Sequence, residues 1–207
     1  MQILPTVLLA IAAFGLGACP FSVWLGHGFM GRDIRDYGDG NPGAANVFRA
    51  GSHRLGYLAV ILDVAKGVPF VFLAHSFFEL PNMALVVVAL SAILGHVFSP
   101  FLRWHGGKGI AVTFGVLLAM PQHEMLIVFI AFMVLGALFI DVDAWTAMFG
   151  AVGTLAYLAV TKGGSWESLL MLCVLAIFAV KQFEGLHAVP GYKGRLVSWL
   201  QSRRRET

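Results

Sequence analysis

Long apolar runs, separated by short polar breaks, fill most of this chain. The runs lie near 3–25, 55–78, 82–100, 109–121, 124–140, 144–160 and 168–181. A helix needs about 20 apolar residues to cross about 30 Å of hydrocarbon, so most of these runs predict membrane-spanning helices. Pro81 with Asn82 makes one break, and Pro121 to Glu124 makes another. Asp141-Val142-Asp143 and Thr161 to Gly164 are two more. The run at 109–121 is short, so the count of seven spans has six as its alternative. A helix of that length fits inside a bundle or at a thinned patch of bilayer. The expected fold class is all-α, a polytopic membrane helix bundle in a single domain over 1–207.

Composition agrees with the pattern. The 207 residues are 58% hydrophobic and 12% charged, with mean hydropathy +0.81. A soluble domain carries roughly twice that charge. The net charge of +3 does not point to nucleic acid, because the basic residues sit in loops between apolar runs. Cys19 and Cys173 both lie in apolar runs and form neither a disulfide framework nor a metal-ligand spacing.

Charge bias sets the orientation. Of fourteen Lys and Arg residues, all but Lys66 and Lys162 fall on one side of a seven-span layout. The positive-inside rule then puts the N-terminus outside and the C-terminus in the cytoplasm. Arg203, Arg204 and Arg205 are expected to touch anionic headgroups. No Lys or Arg precedes Arg32, so the first run lacks the charged start of a signal peptide. Leu16 to Cys19 resembles a lipoprotein box only weakly, and a retained first span is expected.

Two loops on the basic side carry the candidate chemistry. In HVFSPFLRWHGGKGIAVTFG, residues 96–115, Lys108 stands among Gly106, Gly107 and Gly109. Glycine lets a backbone approach a ligand closely and forms anion-binding concavities, so this turn can cradle a phosphate. The plainer alternative is a short basic loop that fixes topology. The other loop, residues 31–56, is long for a connector and ends its glycine- and asparagine-rich part at Arg49. Arg49 and Lys108 share a membrane face and can meet over one anion, arginine as a fork and lysine as a point charge. Arg32 and Arg35 are expected only to reach headgroups.

Nucleotide motifs do not apply. Gly38, Gly40 and Gly43 match a dinucleotide fingerprint in spacing, but no strand or βαβ unit surrounds them. Lys108 is followed by Gly109, where a P-loop has Ser or Thr. Asp63 and Lys66 share a helix face inside the second run. An intramembrane lysine needs a partner, so a structural ion pair is the main expectation and substrate contact the lesser one.

The segments GDGNPGAANVFR, DVAKG and GHVFSPFLRWHGGKGIAVTFG resemble the bacterial membrane acyl-phosphate:glycerol-3-phosphate acyltransferases, the PlsY family. Order and spacing fit across nearly the whole chain. The resemblance implies acyl transfer from acyl-phosphate to the 1-hydroxyl of glycerol 3-phosphate. The products are 1-acyl-glycerol 3-phosphate and inorganic phosphate, with no metal, cofactor or acyl-CoA. It places the work in phospholipid synthesis, in a multi-pass protein of the bacterial inner membrane with membrane lipids around it and no nucleic acid. It implies Arg49 and Lys108 as catalytic cations. Substrate-binding positions are then Asp39, Asn41, Gly43, Asn46, His96, Gly106, Gly107 and Gly109. The substrate's own phosphate is allowed as proton acceptor. None of the seven histidines begins the His-x4-Asp motif of acyl-CoA-dependent enzymes.

Departures from the family pattern are specific. Asp39 stands where the family has serine, and Ala45 where it has threonine. Gln182 and Gly185 stand at a His-x-x-Asn pair after the last span, and His187 is out of register. A carboxylate at position 39 repels a phosphate unless it pairs with a cation or points away. Asp39 is therefore expected to bond Arg49 or a loop amide, or to select an acceptor without a phosphate. The lost His-Asn pair favours an alternative: a non-catalytic relative that binds an anionic lipid or acyl-phosphate, or one that acylates another acceptor. A transporter is the weakest reading, since the chain shows neither a repeat nor paired broken helices. Acyl length and oligomeric state are open. His96, at a helix end, has a purely structural role as its plainer reading. Phe183, Trp199 and the terminal arginines are the material for an interfacial segment, which Pro190 and several glycines interrupt.

Overall fold

A computed structural model describes residues 2–187. The terminal arginines, Trp199 and the residues that follow His187 lie outside the described residues. Helices stand at all seven apolar runs, and the chain divides into two compact units, Met1–His123 and Glu124–Thr207.

In the first unit, α1 (Ile3–Ala18) ends at Cys19 and Pro20, and α2 (Phe21–Leu25) continues into a wide helical turn at Gly26–Met30. Proline lacks an N–H and cannot continue the ladder, so the first span is broken where the sequence reads as one run. The carbonyls left open at the break find partners elsewhere. Ser99 Oγ donates to Ala18 O at 2.6 Å, and Lys66 Nζ donates to Cys19 O at 2.9 Å. The second run is also two helices, α4 (His53–Ala65) and α5 (Pro69–Ser76), divided by a turn at 66–68. Pro69 is the first residue of α5, where a missing N–H costs nothing. Between the first two runs lies α3 (Ala44–Arg49).

The third run is α6 (Asn82–Val97), and the short fourth run is α7 (Ile110–Ala119). Ten residues cannot span a bilayer, and α7 lies against α4, α5 and α6 with six of its residues buried. It is an interior helix of this unit. By length and composition, Ile3–Met30, His53–Ser76, Asn82–Leu102 and Asp143–Lys162 are long enough to cross a membrane.

Small residues set the helix contacts. A Cβ on Gly17 would collide with the carbonyl oxygen of Ala92, and one on Gly95 with that of Phe14. Here α1 and α6 meet backbone to backbone, as close-packed membrane helices do. Gly95→Val should lower the thermal unfolding midpoint in detergent, by the 1–3 kcal/mol typical of overpacking. An unchanged midpoint would mean that α1 shifts without cost.

The second unit holds α8 (His123–Phe139), α9 (Asp143–Lys162), α10 (Trp166–Lys181) and α11 (Phe183–Leu186). Ser165 caps α10 by accepting from Ser168 N. Lys162 bridges Glu124 and Glu167, joining the ends of three helices. This gives the lone basic residue of that loop a structural use.

Candidate active site

The loop after α2 is braced before it reaches the candidate residues. Asp33 caps a short 3-10 turn and takes both arms of the Arg35 guanidinium. Those bonds hold the Asp33 carboxyl well below the usual carboxylate range. Arg32 donates to Ala50 O at 2.7 Å. Both arginines, expected to reach headgroups, fasten the loop to itself.

Next comes a tight cluster. Asn46 is fully buried on α3, one turn before Arg49. Its side-chain oxygen accepts from Arg49 Nη1 at 2.8 Å. Its amide nitrogen donates to Asp39 Oδ1 at 3.0 Å and to Asn41 O at 2.9 Å. Both of its amide hydrogens and one lone pair of its oxygen are used, so it fixes the arginine and the carboxylate together. Asn41 contributes its backbone N–H to Asp39 at 3.3 Å. Gly43 closes the turn by donating to Asn41 O at 2.8 Å and begins α3.

Asp39 meets both expected cations. Lys108 Nζ lies 2.7 Å from Oδ2, and Arg49 Nη1 lies 3.5 Å from Oδ1. Burial pushes the pKa of the Asp39 carboxyl up, and the Lys108 ammonium with the Asn41 and Asn46 donors more than reverses this. Its pKa sits below the ordinary value, so the group is ionised at neutral pH. The three side chains remain open to solvent, Asp39 at 41%, Arg49 at 45% and Lys108 at 30%.

The Gly106–Gly109 turn is shaped from below. Gly106 N donates to Val97 O and Gly107 N to His96 O, each at 3.1 Å. Two of the amides that the sequence offers to a phosphate are therefore used inside the fold. Close approach is what these glycines supply. A Cβ on Gly106 would strike the His96 carbonyl, and one on Gly107 would strike the His96 ring at Nε2. Gly109 has φ +86° at the start of α7, a conformation that L side chains rarely adopt. No side chain caps α7, so its first-turn N–H groups add positive potential just after Lys108. Before the turn, Arg103 and Trp104 both hold left-handed φ, at 51° and 68°, pinned by bonds to Pro100 O and Ser99 O.

His96 lies beneath the turn, 8% exposed, with Nδ1 4.0 Å from Asp63 Oδ1. Asp63 also faces Lys66 Nζ at 2.7 Å and accepts from Ser22 Oγ at 2.9 Å. The expected ion pair between Asp63 and Lys66 is present and buried. Ser22 and the Cys19 carbonyl complete this network, Ser99 bonds the neighbouring Ala18 carbonyl, and sequence reasoning missed all three. A polar side chain inside an apolar run was the available signal for Ser22 and Ser99. A small cavity lies beside it, lined by Pro42, Lys66, His96, Ser99 and Gly107.

The family model for glycerol-3-phosphate acyltransferases matches residues 7–188. The chain belongs to that family. A glycerol-3-phosphate acyltransferase of Laribacter hongkongensis is 32% identical over 194 residues, 92% of this chain and 96% of that one. One from Fusobacterium nucleatum is 43% identical over 108 residues, 52% of this chain and 55% of that one. In fold, the chain matches the crystal structure of PlsY, an integral membrane glycerol 3-phosphate acyltransferase, in its glycerol 3-phosphate form. The TM-score is 0.79 at 24% identity, over 88% of this chain and 90% of that one. The protein is thus an integral membrane member of the family.

The stretch after α10, where Gln182 and Gly185 depart from the family pattern, belongs to the second unit. Gln182 follows α10 and is 2% exposed, and neither of its amide atoms has a hydrogen-bond partner among the described residues. Gly185 lies in α11, and His187 Nδ1 lies 2.8 Å from Phe183 O.

Proposed function

We propose that this protein transfers an acyl group from acyl-phosphate to the 1-hydroxyl of glycerol 3-phosphate. The products are 1-acyl-glycerol 3-phosphate and inorganic phosphate. Membership of the family across 7–188 supports the reaction and the reading of residues 1–207 as one acyltransferase domain. The observation that carries the site is the convergence of Arg49 and Lys108, from two separate loops, on a single half-exposed anion. Two cations held that way suit a phosphate, and Asn46 holds one of them in place.

Chemistry here is positioning and electrostatics. The acyl chain lies among apolar helices with its phosphate head at the Gly106–Gly109 turn. Arg49, Lys108 and the N-terminus of α7 draw charge off the head and make it a better leaving group. The acceptor hydroxyl attacks the acyl carbonyl carbon, the carbon–oxygen bond to phosphate breaks, and phosphate leaves with the hydroxyl proton. Asn41 and Gly43 shape the first loop around the acceptor, and His96 supports the turn from beneath. The basic loops support a site on the cytoplasmic face of the bacterial inner membrane.

The deciding experiment uses purified protein in lipid discs with long-chain acyl-phosphate and glycerol 3-phosphate. Lysophosphatidate and phosphate should appear in equal amounts. Gln182 and Gly185 favour the second reading, a relative that binds acyl-phosphate without this transfer. Bound acyl-phosphate with no product would select it.

A further inference from the structure

The anion that joins Arg49 to Lys108 belongs to the protein itself. We infer that Asp39 is a tethered stand-in for phosphate: its carboxylate occupies the Arg49–Lys108 seat when the seat is empty, yields it to a phosphate ligand, and returns as inorganic phosphate leaves. This rests on the reading of Arg49 and Lys108 as the phosphate seat.

Four donors converge on the Asp39 carboxylate. Lys108 Nζ reaches Oδ2, while Asn46 Nδ2, Asn41 N and Arg49 Nη1 reach Oδ1. That is the donor set a phosphate would use at this place, two cations and two neutral N–H groups. Lys108 has further N–H groups, but a phosphate that bridges Lys108 and Arg49 as Asp39 does must take the place of the carboxylate. The exchange is cheap, because an ion pair this open to solvent contributes little. The tether is also short. Asp39 lies between Gly38 and Gly40, both at positive φ (59° and 71°), and Gly38 packs against the Arg49 and Asn46 side chains. The displaced carboxylate therefore stays near the seat, and its local concentration remains high.

The consequence is selectivity for turnover over tight binding. A seat of two bare cations binds substrate phosphate and product phosphate alike, and tight uniform binding does not raise kcat. A tethered carboxylate weakens both and speeds the departure of inorganic phosphate. The serine that the family pattern has at this position carries no charge and cannot compete in this way.

The test compares wild type, Asp39→Ser and Asp39→Asn in lipid discs, with inorganic phosphate as the probe. Binding is read by phosphorus NMR and calorimetry, and phosphate inhibition by steady-state assay. Both variants should bind inorganic phosphate about tenfold more tightly, the scale of one exposed ion pair plus the repulsion of a dianion by a carboxylate. The gain should vanish when Lys108→Ala is added. Equal or weaker phosphate binding in both variants would overturn the exchange and make Asp39 an organiser of its loop. Asp39→Asn keeps the shape and one acceptor, so it separates lost charge from lost structure. Failure of the transfer reading looks different. In that case wild type makes no lysophosphatidate, while the variants still gain phosphate affinity.

Discussion

Lys108→Ala should lower kcat/KM for acyl transfer about ten- to a hundredfold or more. Arg49 and Lys108 contribute two positive charges and Asp39 removes one, so the cluster carries one net charge for a phosphate head. Without Lys108 the sum is zero, and Asp39 remains beside Arg49. One charge-assisted hydrogen bond is worth about 1.5–3 kcal/mol, which sets the lower part of the range. Charge builds on the leaving phosphate as the acyl bond breaks, so the loss should fall on kcat as well as on KM. Lys108→Arg keeps the charge but exchanges a compact ammonium for a planar fork, and it should recover only part of the rate. Turnover by Lys108→Ala at the wild-type rate would remove Lys108 from the site.

Gly106→Ala should be as damaging, through shape alone. Its new Cβ would meet the carbonyl oxygen of His96 and the backbone of Val97, at the end of α6, which cannot move aside cheaply. The turn must lift, and Lys108 moves with it. A misplacement of about 1 Å can cost on the order of a hundredfold in rate. Gly107→Ala provides an internal control. Its Cβ meets the His96 ring, a side chain that can be removed. His96→Ala should therefore rescue part of the Gly107→Ala loss and none of the Gly106→Ala loss. Rescue of both, or of neither, would show that His96 does not support the turn as described.

The helices were legible because apolar run length is a coarse, robust signal. All seven runs are helical, and the weakness of the fourth showed in its length. The breaks were less legible. The runs at 3–25 and 55–78 read as single spans, and each is two helices. Pro20 and Pro69 mark both breaks, but an apolar count does not register a proline that neighbours can compensate. In the site, the meeting of Arg49 with Lys108 was legible from charge and glycine content. That Asp39 would lie between them was open among alternatives, because a loop's pairings depend on its fold. The inward donation of the Gly106 and Gly107 amides was not legible at all. A glycine-rich sequence says that backbone can come close, and only the fold decides to what.

The break at Cys19 and Pro20 bears on how the protein is made. Its two open carbonyls are satisfied by Lys66 and Ser99, residues synthesised well after the first helix. An emerging chain that ends before residue 66 carries both carbonyls bare in lipid, and one that ends before residue 99 still carries Ala18's. Each unsatisfied group costs several kcal/mol there. Biogenesis of the first span is therefore completed from downstream, by Lys66 in the second run and by Ser99 shortly before the Gly106–Gly109 turn. Released truncated chains that end between 66 and 99 should be recognised and degraded faster than chains that end just beyond 110. The protein thus acquires a stable first helix at about the moment its lysine turn leaves the ribosome.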